Sequence, residues 1–239
     1  MPQKNIYNIR CPKCEAHQDV ELYDSINVGT EPGLRDLLMT NQINNVVCDA
    51  CDFSFRVDKH LLYNDPENRF MVNLIPAGPE DMDAAQQQFS TWLHDLTKTL
   101  PAEIEAPAMH LVFSRVELVE RIFLLEAGLS ARVIEYIKYM MYSRNQERLN
   151  PTERALLFDA QDSTPEQLCF VVQDLATQQL EEMLHYGRDA YEGLCEMFDR
   201  DEQTPSLMEL FPGPYLSARV LFLKDEHVEQ GSRSHSGRF

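Results

Sequence analysis

The 239-residue chain lacks long hydrophobic runs and the sequence motifs of several large enzyme classes. It has no run of about 18 uncharged apolar residues, so no membrane-spanning helix is predicted. The first residues, Met1 to Asn5, lead into no apolar stretch, and we expect no signal peptide. No Gly-rich phosphate loop, G-x-G-x-x-G turn or G-x-S-x-G nucleophile elbow occurs. Nucleotide binding and serine hydrolysis therefore have no support in the sequence.

Basic residues are also few. The chain has 21 Lys and Arg and 39 Asp and Glu, which gives a formal net charge of −18. Up to Pro79 there are seven basic and eleven acidic residues, so the N-terminal part is no hidden basic module. Nucleic acids and anionic membranes require a basic surface. We expect neither as a partner. An acidic surface steers basic protein surfaces, so we expect protein partners, whose identity the sequence leaves open.

Cysteine is sparse as well, but four of the six cysteines form two CxxC pairs. One CxxC turn brings two sulfurs together, and two such turns complete a tetrahedral site with no open position. The predicted metal ligands are therefore Cys11, Cys14, Cys48 and Cys51. Zn²⁺ is the expected metal, and iron in a rubredoxin-like centre is the alternative, since both accept four thiolates. Paired ligand cysteines instead of disulfides indicate a reducing compartment, and we predict a cytoplasmic protein.

The sequence around the two pairs predicts a zinc ribbon over residues 1–79. Short strands enter and leave each pair, which is the pattern of ribbon knuckles. The 33 residues between Cys14 and Cys48 exceed the spacing of compact sites. A predicted helix beginning at Pro32 accounts for part of this insertion. A further strand over Phe70–Ile75 ends at a Pro/Gly cluster, and Pro79 is the predicted domain boundary.

Residues 80–230 are predicted to form a mainly helical domain with a few strands, and residues 231–239 a disordered tail. A capping-box sequence begins at Ser114, and Ser130 is expected to cap the following helix. The other predicted helices cover 80–100 and Ala176–Phe198, and the predicted strands are Ala155–Phe158, Leu168–Val172 and Tyr215–Leu223. The predicted class is therefore α+β, with a zinc-ribbon-like β module that carries an inserted element, followed by the helical domain.

Four segments of the N-terminal part form a recognisable set: Cys11–Cys14, the pair Cys48–Cys51, Asp24–Val28 and Leu62–Pro66. Together they resemble the bacterial CpXC family, which is named for its Cys-Pro-x-Cys motif and has no assigned biochemical activity. The resemblance covers about residues 1–80, and Gly128-Leu129 is similar to longer members. Asp49 replaces the proline in the second pair, and Glu15 and Asp52 stand where ribbon knuckles usually have glycine. The resemblance implies metal binding and nothing about a substrate.

Other potentially reactive residues have simpler interpretations. His17 and His60 lie near the cysteine pairs but are interpreted as surface residues. Cys169 and Cys195 have apolar neighbours, which indicates buried small side chains. Glu182 and His185 have the spacing of a di-iron helix motif, but that chemistry needs a second such step, and Glu181 and Glu182 are interpreted as a solvated helix face.

The sequence thus predicts a metal-binding protein with a structural Cys₄ site, whose ribbon serves as a protein-interaction or regulatory module. No catalytic or cofactor-binding residue is identified. Three alternatives stay open: an enzyme whose active site lies in the C-terminal domain, a rubredoxin-like electron carrier, and a nucleic-acid-binding ribbon.

Overall fold

The computed structural model describes residues 2–99, 106–200 and 207–224 of the chain. The chain divides into two compact units, Met1–Ile122 and Phe123–Phe239. Both contain helices and strands, so the α+β class predicted from the sequence is confirmed. Within the described ranges, no helix is both long enough and apolar enough to cross a membrane.

The first unit is built on two β-sheets. Its strands are β1 (Gln3–Arg10), β2 (His17–Asn27), β3 (Asn45–Val47), β4 (Ser54–Arg56), β5 (Leu61–Asp65), β6 (Phe70–Leu74) and β7 (Ala108–Val112). Its helices are α1 (Gly33–Met39) and α2 (Met82–Thr99), and α3 (Arg115–Glu126) begins in it. The larger sheet has the order β1-β2-β5-β6-β7, and β3 pairs only with β4.

Alternating side chains place one face of the larger sheet in the core. Leu22 and Ile26 of β2, Leu61 and Tyr63 of β5, and Val72 of β6 are at most 1% exposed. Strands β1 and β2 form an antiparallel hairpin, as do β5 and β6. The pairs β2–β5 and β6–β7 are parallel, so each needs a long connection. The first connection contains α1, which the sequence predicts within the insertion between the cysteine pairs, and the β3–β4 hairpin, which carries the second pair. The second connection contains α2.

The predicted domain boundary at Pro79 lies inside the first unit. After α2 the chain returns to the sheet, where β7 pairs with β6 over its whole length. The sequence does not predict this strand, because Ala108–Val112 is short and directly follows Pro107. Pairing with β6 determines this strand, and strand propensity depends strongly on such context. The division of the chain therefore falls after Ile122, about forty residues beyond the expected position.

The second unit packs helices against a three-stranded antiparallel sheet of order β10-β9-β8. Its elements are α4 (Ala131–Arg144), β8 (Arg154–Asp159), β9 (Gln167–Asp174), β10 (Leu180–Gly187), α5 (Arg188–Arg200), α6 (Leu207–Leu210) and α7 (218–224). Ile134 and Ile137 of α4 pack with Leu168 and Phe170 of β9, and all four are fully buried. The strands predicted over Ala155–Phe158 and Leu168–Val172 are confirmed as β8 and β9, which form an antiparallel hairpin.

Helices α3 and α4 begin at the predicted capping residues. Ser114 Oγ accepts a hydrogen bond from the amide of Glu117, and the Glu117 carboxylate accepts one from the amide of Ser114. Gly128, after α3, has a φ of +67°, a conformation that glycine adopts without strain. Ser130 caps α4 by accepting a hydrogen bond from the amide of Val133.

Two predictions in the second unit are wrong. The helix predicted over Ala176–Phe198 is present only from Arg188, because Leu180–Gly187 forms β10 against β9. Its Leu, Glu and Met residues favour a helix, but strand pairing overrides that preference. The strand predicted over Tyr215–Leu223 is largely helix α7, residues 218–224. The predicted tail, residues 231–239, lies outside the described residues.

Candidate metal centre

Each cysteine pair connects the two strands of an antiparallel hairpin. Cys11 directly follows β1, and β2 begins three residues after Cys14. Cys48 directly follows β3, and β4 begins three residues after Cys51. The predicted order of strand, CxxC turn and strand is therefore present twice.

The two turns have the same backbone hydrogen bonds. In the first, the amide of Cys11 donates to Ala16 O over 2.9 Å, and the amide of Glu15 donates to Cys11 O over 3.0 Å. In the second, the amide of Cys48 donates to Phe53 O over 3.0 Å, and the amide of Asp52 donates to Cys48 O over 2.9 Å. Two segments with different sequences thus adopt one knuckle conformation.

Both knuckles require a left-handed residue at the position after the second cysteine. Glu15 has a φ of +63° and Asp52 a φ of +55°, where ribbon knuckles usually have glycine. Asp reaches this region more readily than Glu, and the conformation costs about 1–2 kcal/mol for an ordinary residue. The exposed ion pair between Arg10 and Glu15 offsets little of this strain.

The knuckles bring all four sulfurs together. The Sγ atoms of Cys11, Cys14, Cys48 and Cys51 lie within 4.8 Å of one another. The Sγ–Sγ distance is 3.8 Å from Cys11 to Cys51 and 3.5 Å from Cys14 to Cys48. All four cysteines are free. A tetrahedral metal with bonds of about 2.3 Å separates its sulfurs by roughly 3.8 Å, so this group of residues can hold a metal ion.

The ionisation of the thiols also suits a cation. Burial raises the pKa of Cys11, but hydrogen bonds from the backbone of Cys14 and Lys13 and from neighbouring thiols lower it to about 6. At Cys51, a backbone hydrogen bond from Phe53 lowers the pKa, while burial and the other three cysteines raise it to about 12. One thiolate therefore forms readily, and its charge opposes loss of the proton of Cys51. A divalent cation would remove that opposition.

The family model of the CpXC protein matches residues 9–138, which is more than half of the chain. The chain belongs to the CpXC family. No curated protein and no solved structure matches it. The CpXC match begins beside the first knuckle, includes both cysteine pairs and ends inside α4. Strands β8 to β10 and helix α5 of the second unit lie beyond the part that the family model describes.

The histidines near the knuckles of this CpXC protein are not in the sulfur group. His17 is exposed, and its Nδ1 lies 3.0 Å from Oδ1 of Asn8 on the neighbouring strand. His60 is exposed as well. Within the described residues, no other group of His, Cys, Asp and Glu side chains has the geometry of a metal site.

The structure also places Cys169 beside His185, with Sγ 3.2 Å from Nδ1. The two residues face each other across β9 and β10. Glu181, Glu182 and His185 therefore lie on a strand and not on the predicted helix. The sequence does not reveal this neighbour, because the segment that forms β10 has the pattern of a helix. Burial, with the charges of Asp159 and Asp162, raises the pKa of the Cys169 thiol. Cys169 is 2% exposed, and a buried neutral thiol is a poor nucleophile.

Proposed function

We propose that the protein binds one Zn²⁺ per chain through Cys11, Cys14, Cys48 and Cys51, and that the metal has a structural role. The single observation that carries this proposal is the cluster of four free sulfurs within 4.8 Å. Four thiolates fill a tetrahedral site, so no coordination position is left for a substrate or water. Closed Cys₄ sites of this kind are typical of structural zinc.

The metal would connect two hairpins that share no strand pairing. Strands β1 and β2 belong to the larger sheet, whereas β3 and β4 form a sheet of their own. Cys11 and Cys14 lie at the tip of one hairpin, and Cys48 and Cys51 at the tip of the other. A metal at the tips therefore crosslinks them, and its binding free energy contributes directly to folding of the ribbon.

The second part of the proposal is that the ribbon is a cytoplasmic protein-interaction or regulatory module. Apolar side chains next to the second knuckle support it, because Val47 is 56% exposed and Phe53 38% exposed. Lys13 Nζ lies 5.6 Å from the centroid of the Phe53 ring, so the two knuckles present a mixed surface. The net charge of −18 favours basic protein partners over nucleic acids or anionic membranes.

Elemental analysis of the purified full-length chain tests the metal. We expect one zinc per chain, and a Cys48→Ser variant with little or none. A red protein with visible thiolate-to-iron absorption would contradict zinc and support an iron centre. A metal-free chain with a folded ribbon would contradict the site itself.

Affinity purification followed by mass spectrometry tests the interaction module. The tagged wild-type chain is compared with Phe53→Asp, which alters the exposed surface without removing a sulfur. We expect a protein that the wild-type chain enriches and the variant does not. Enrichment of nucleic acid, or identical protein profiles for both chains, would count against this role.

A further inference from the structure

Gln18 makes two hydrogen bonds to the second knuckle. Its Nε2 donates to Val47 O over 3.0 Å, and its Oε1 accepts from the amide of Asp49 over 3.0 Å. Val47 immediately precedes Cys48 and Asp49 immediately follows it. One side chain therefore holds the peptide groups on both sides of a single sulfur-bearing residue.

The position of Gln18 connects the two knuckles. Gln18 lies on β2, four residues after Cys14, where it pairs with Ile9 of β1. No backbone pairing joins β2 to β3 in the described part of the chain. A side-chain amide carries the same donor and acceptor as a peptide group. Gln18 thus supplies the two hydrogen bonds that a neighbouring strand would have made to this turn.

We propose that Gln18 is a positioning residue of the metal centre, which sets the place of Cys48 relative to Cys11 and Cys14 before the metal binds. This inference rests on the proposed function, because it needs a metal at the four sulfurs. Groups that orient ligands from outside the coordination sphere commonly change metal affinity 10–100-fold when they are removed. Because Gln18 is only half-buried, we expect an effect near the lower end, about tenfold.

A second amide, Asn44, makes a similar contact farther from the sulfurs. Asn44 accepts from the amide of Tyr23 over 2.7 Å and donates to Tyr23 O over 3.0 Å. It is 6% exposed and has a φ of +58°. Its loss would remove the hydrogen bond that it accepts from the Tyr23 amide, while Tyr23 O keeps Lys59 Nζ as a donor, so Asn44 supports the fold of the ribbon. We therefore assign positioning of a metal ligand to Gln18 and general stability of the ribbon to Asn44.

The experiment measures Zn²⁺ affinity of the full chain by competition with a chromophoric chelator, and the Co²⁺ spectrum as a report on tetrahedral geometry. Gln18→Met keeps the length of the side chain and removes both hydrogen bonds. Gln18→Glu keeps an acceptor for Asp49 but places a carboxylate oxygen against Val47 O. The added negative charge by itself would strengthen binding of a cation. Weaker Zn²⁺ binding in this variant would therefore result from a changed position of Cys48. His17→Ala removes the adjacent exposed polar side chain and serves as the control.

We expect Gln18→Met to bind Zn²⁺ about tenfold more weakly, with altered d–d bands of bound Co²⁺, and Gln18→Glu to bind more weakly than wild type. His17→Ala should match wild type in both measurements. Gln18 variants with wild-type affinity and superimposable Co²⁺ spectra would overturn the inference and leave the proposed function intact. A wild-type chain that binds neither ion would overturn the proposed function and this inference together. If circular dichroism shows that Gln18→Met does not fold, the affinity of Gln18→Glu decides.

Discussion

The ribbon, residues 3–57 of the first unit, is stabilised by different interactions from those that stabilise the second unit. In the ribbon, Cys11 and Cys48 are themselves fully buried, and the hairpins meet through sulfurs and through the side-chain amides of Gln18 and Asn44. In the second unit, helices and sheet share a cluster that includes Ile134, Leu168 and Phe170. If the proposed metal binds, the first arrangement depends on it in addition to the buried face of the larger sheet, whereas the second depends on buried apolar area alone. The molecule should therefore respond to metal loss in one region only.

Removal of one sulfur should have the largest effect. Cys48→Ser is expected to abolish high-affinity metal binding and to unfold the ribbon, because structural zinc contributes roughly 10 kcal/mol or more to such small sites. The second unit should stay folded, since it has apolar clusters of its own. Limited proteolysis is expected to cleave within residues 3–57 and to spare residues 131–174.

Cys195→Ser is the control for that experiment, because Cys195 is a free cysteine on α5 outside the sulfur group. It should leave the cleavage pattern unchanged. Equal sensitivity of both regions in Cys48→Ser would show that the ribbon and the second unit form one cooperative core.

Truncation of a side chain in the core of the second unit should destabilise that unit and leave the ribbon unaffected. Phe170 is fully buried and its ring lies against that of Phe158, so Phe170→Ala is expected to lower the free energy of unfolding of the second unit by about 3–5 kcal/mol. The zinc content should not change. Thermal unfolding followed by circular dichroism, with metal analysis of the same sample, checks both. Loss of zinc in this variant would contradict the independence of the two regions.

A smaller effect is expected at the base of the ribbon, where Asp24 accepts hydrogen bonds from Lys59, Tyr7 and Asn5. Burial raises the pKa of Asp24, but these partners outweigh it and the net pKa lies below the usual value. A carboxyl with a lowered pKa stabilises the fold above its unfolded pKa, and this contribution disappears as the pH falls through the folded pKa. Asp24→Asn should therefore cost about 1–2 kcal/mol near neutral pH.

The difference between wild type and Asp24→Asn should shrink below about pH 4, where the unfolded carboxyl becomes protonated. Urea unfolding of both chains at a series of pH values measures it. A difference that is constant down to pH 2 would mean that the Asp24 charge is not what stabilises this site.

Two glycines in the second unit provide the smallest effects, with opposite signs. Gly128 has a φ of +67°, so Gly128→Ala should destabilise by about 1 kcal/mol, although beyond the two adjacent residues the new Cβ would meet no atom within 4 Å. Gly193 lies inside α5 with equally open space, so Gly193→Ala should stabilise by about 0.5–1 kcal/mol. Thermal melts of both variants check the signs. A stabilising Gly128→Ala would contradict the left-handed end of α3.

Local signals allowed much of this structure to be predicted. The CxxC turns, the caps at Ser114 and Ser130 and the β8–β9 hairpin each depend on residues that are close in sequence. The family could also be predicted, because the motif at Cys11–Cys14 is itself local.

Contacts between distant residues could not be predicted in the same way. Strand β7 depends on its pairing with β6, and β10 on its pairing with β9, although Leu180–Gly187 favours a helix. The role of Gln18 was missed for the same reason, since its partners lie 29 and 31 residues away. The place of Cys169 beside His185 also follows from strand register.

Hydrogen exchange of the full chain, measured with zinc bound and after removal of zinc by a chelator, tests the central claim most directly. If zinc joins the two hairpins, removal should abolish protection of amides in residues 3–57 and leave the amides of α4 and β9 as protected as before. Unchanged protection in residues 3–57 would contradict a structural role for the metal. Equal loss of protection in both regions would contradict the difference between the ribbon and the second unit.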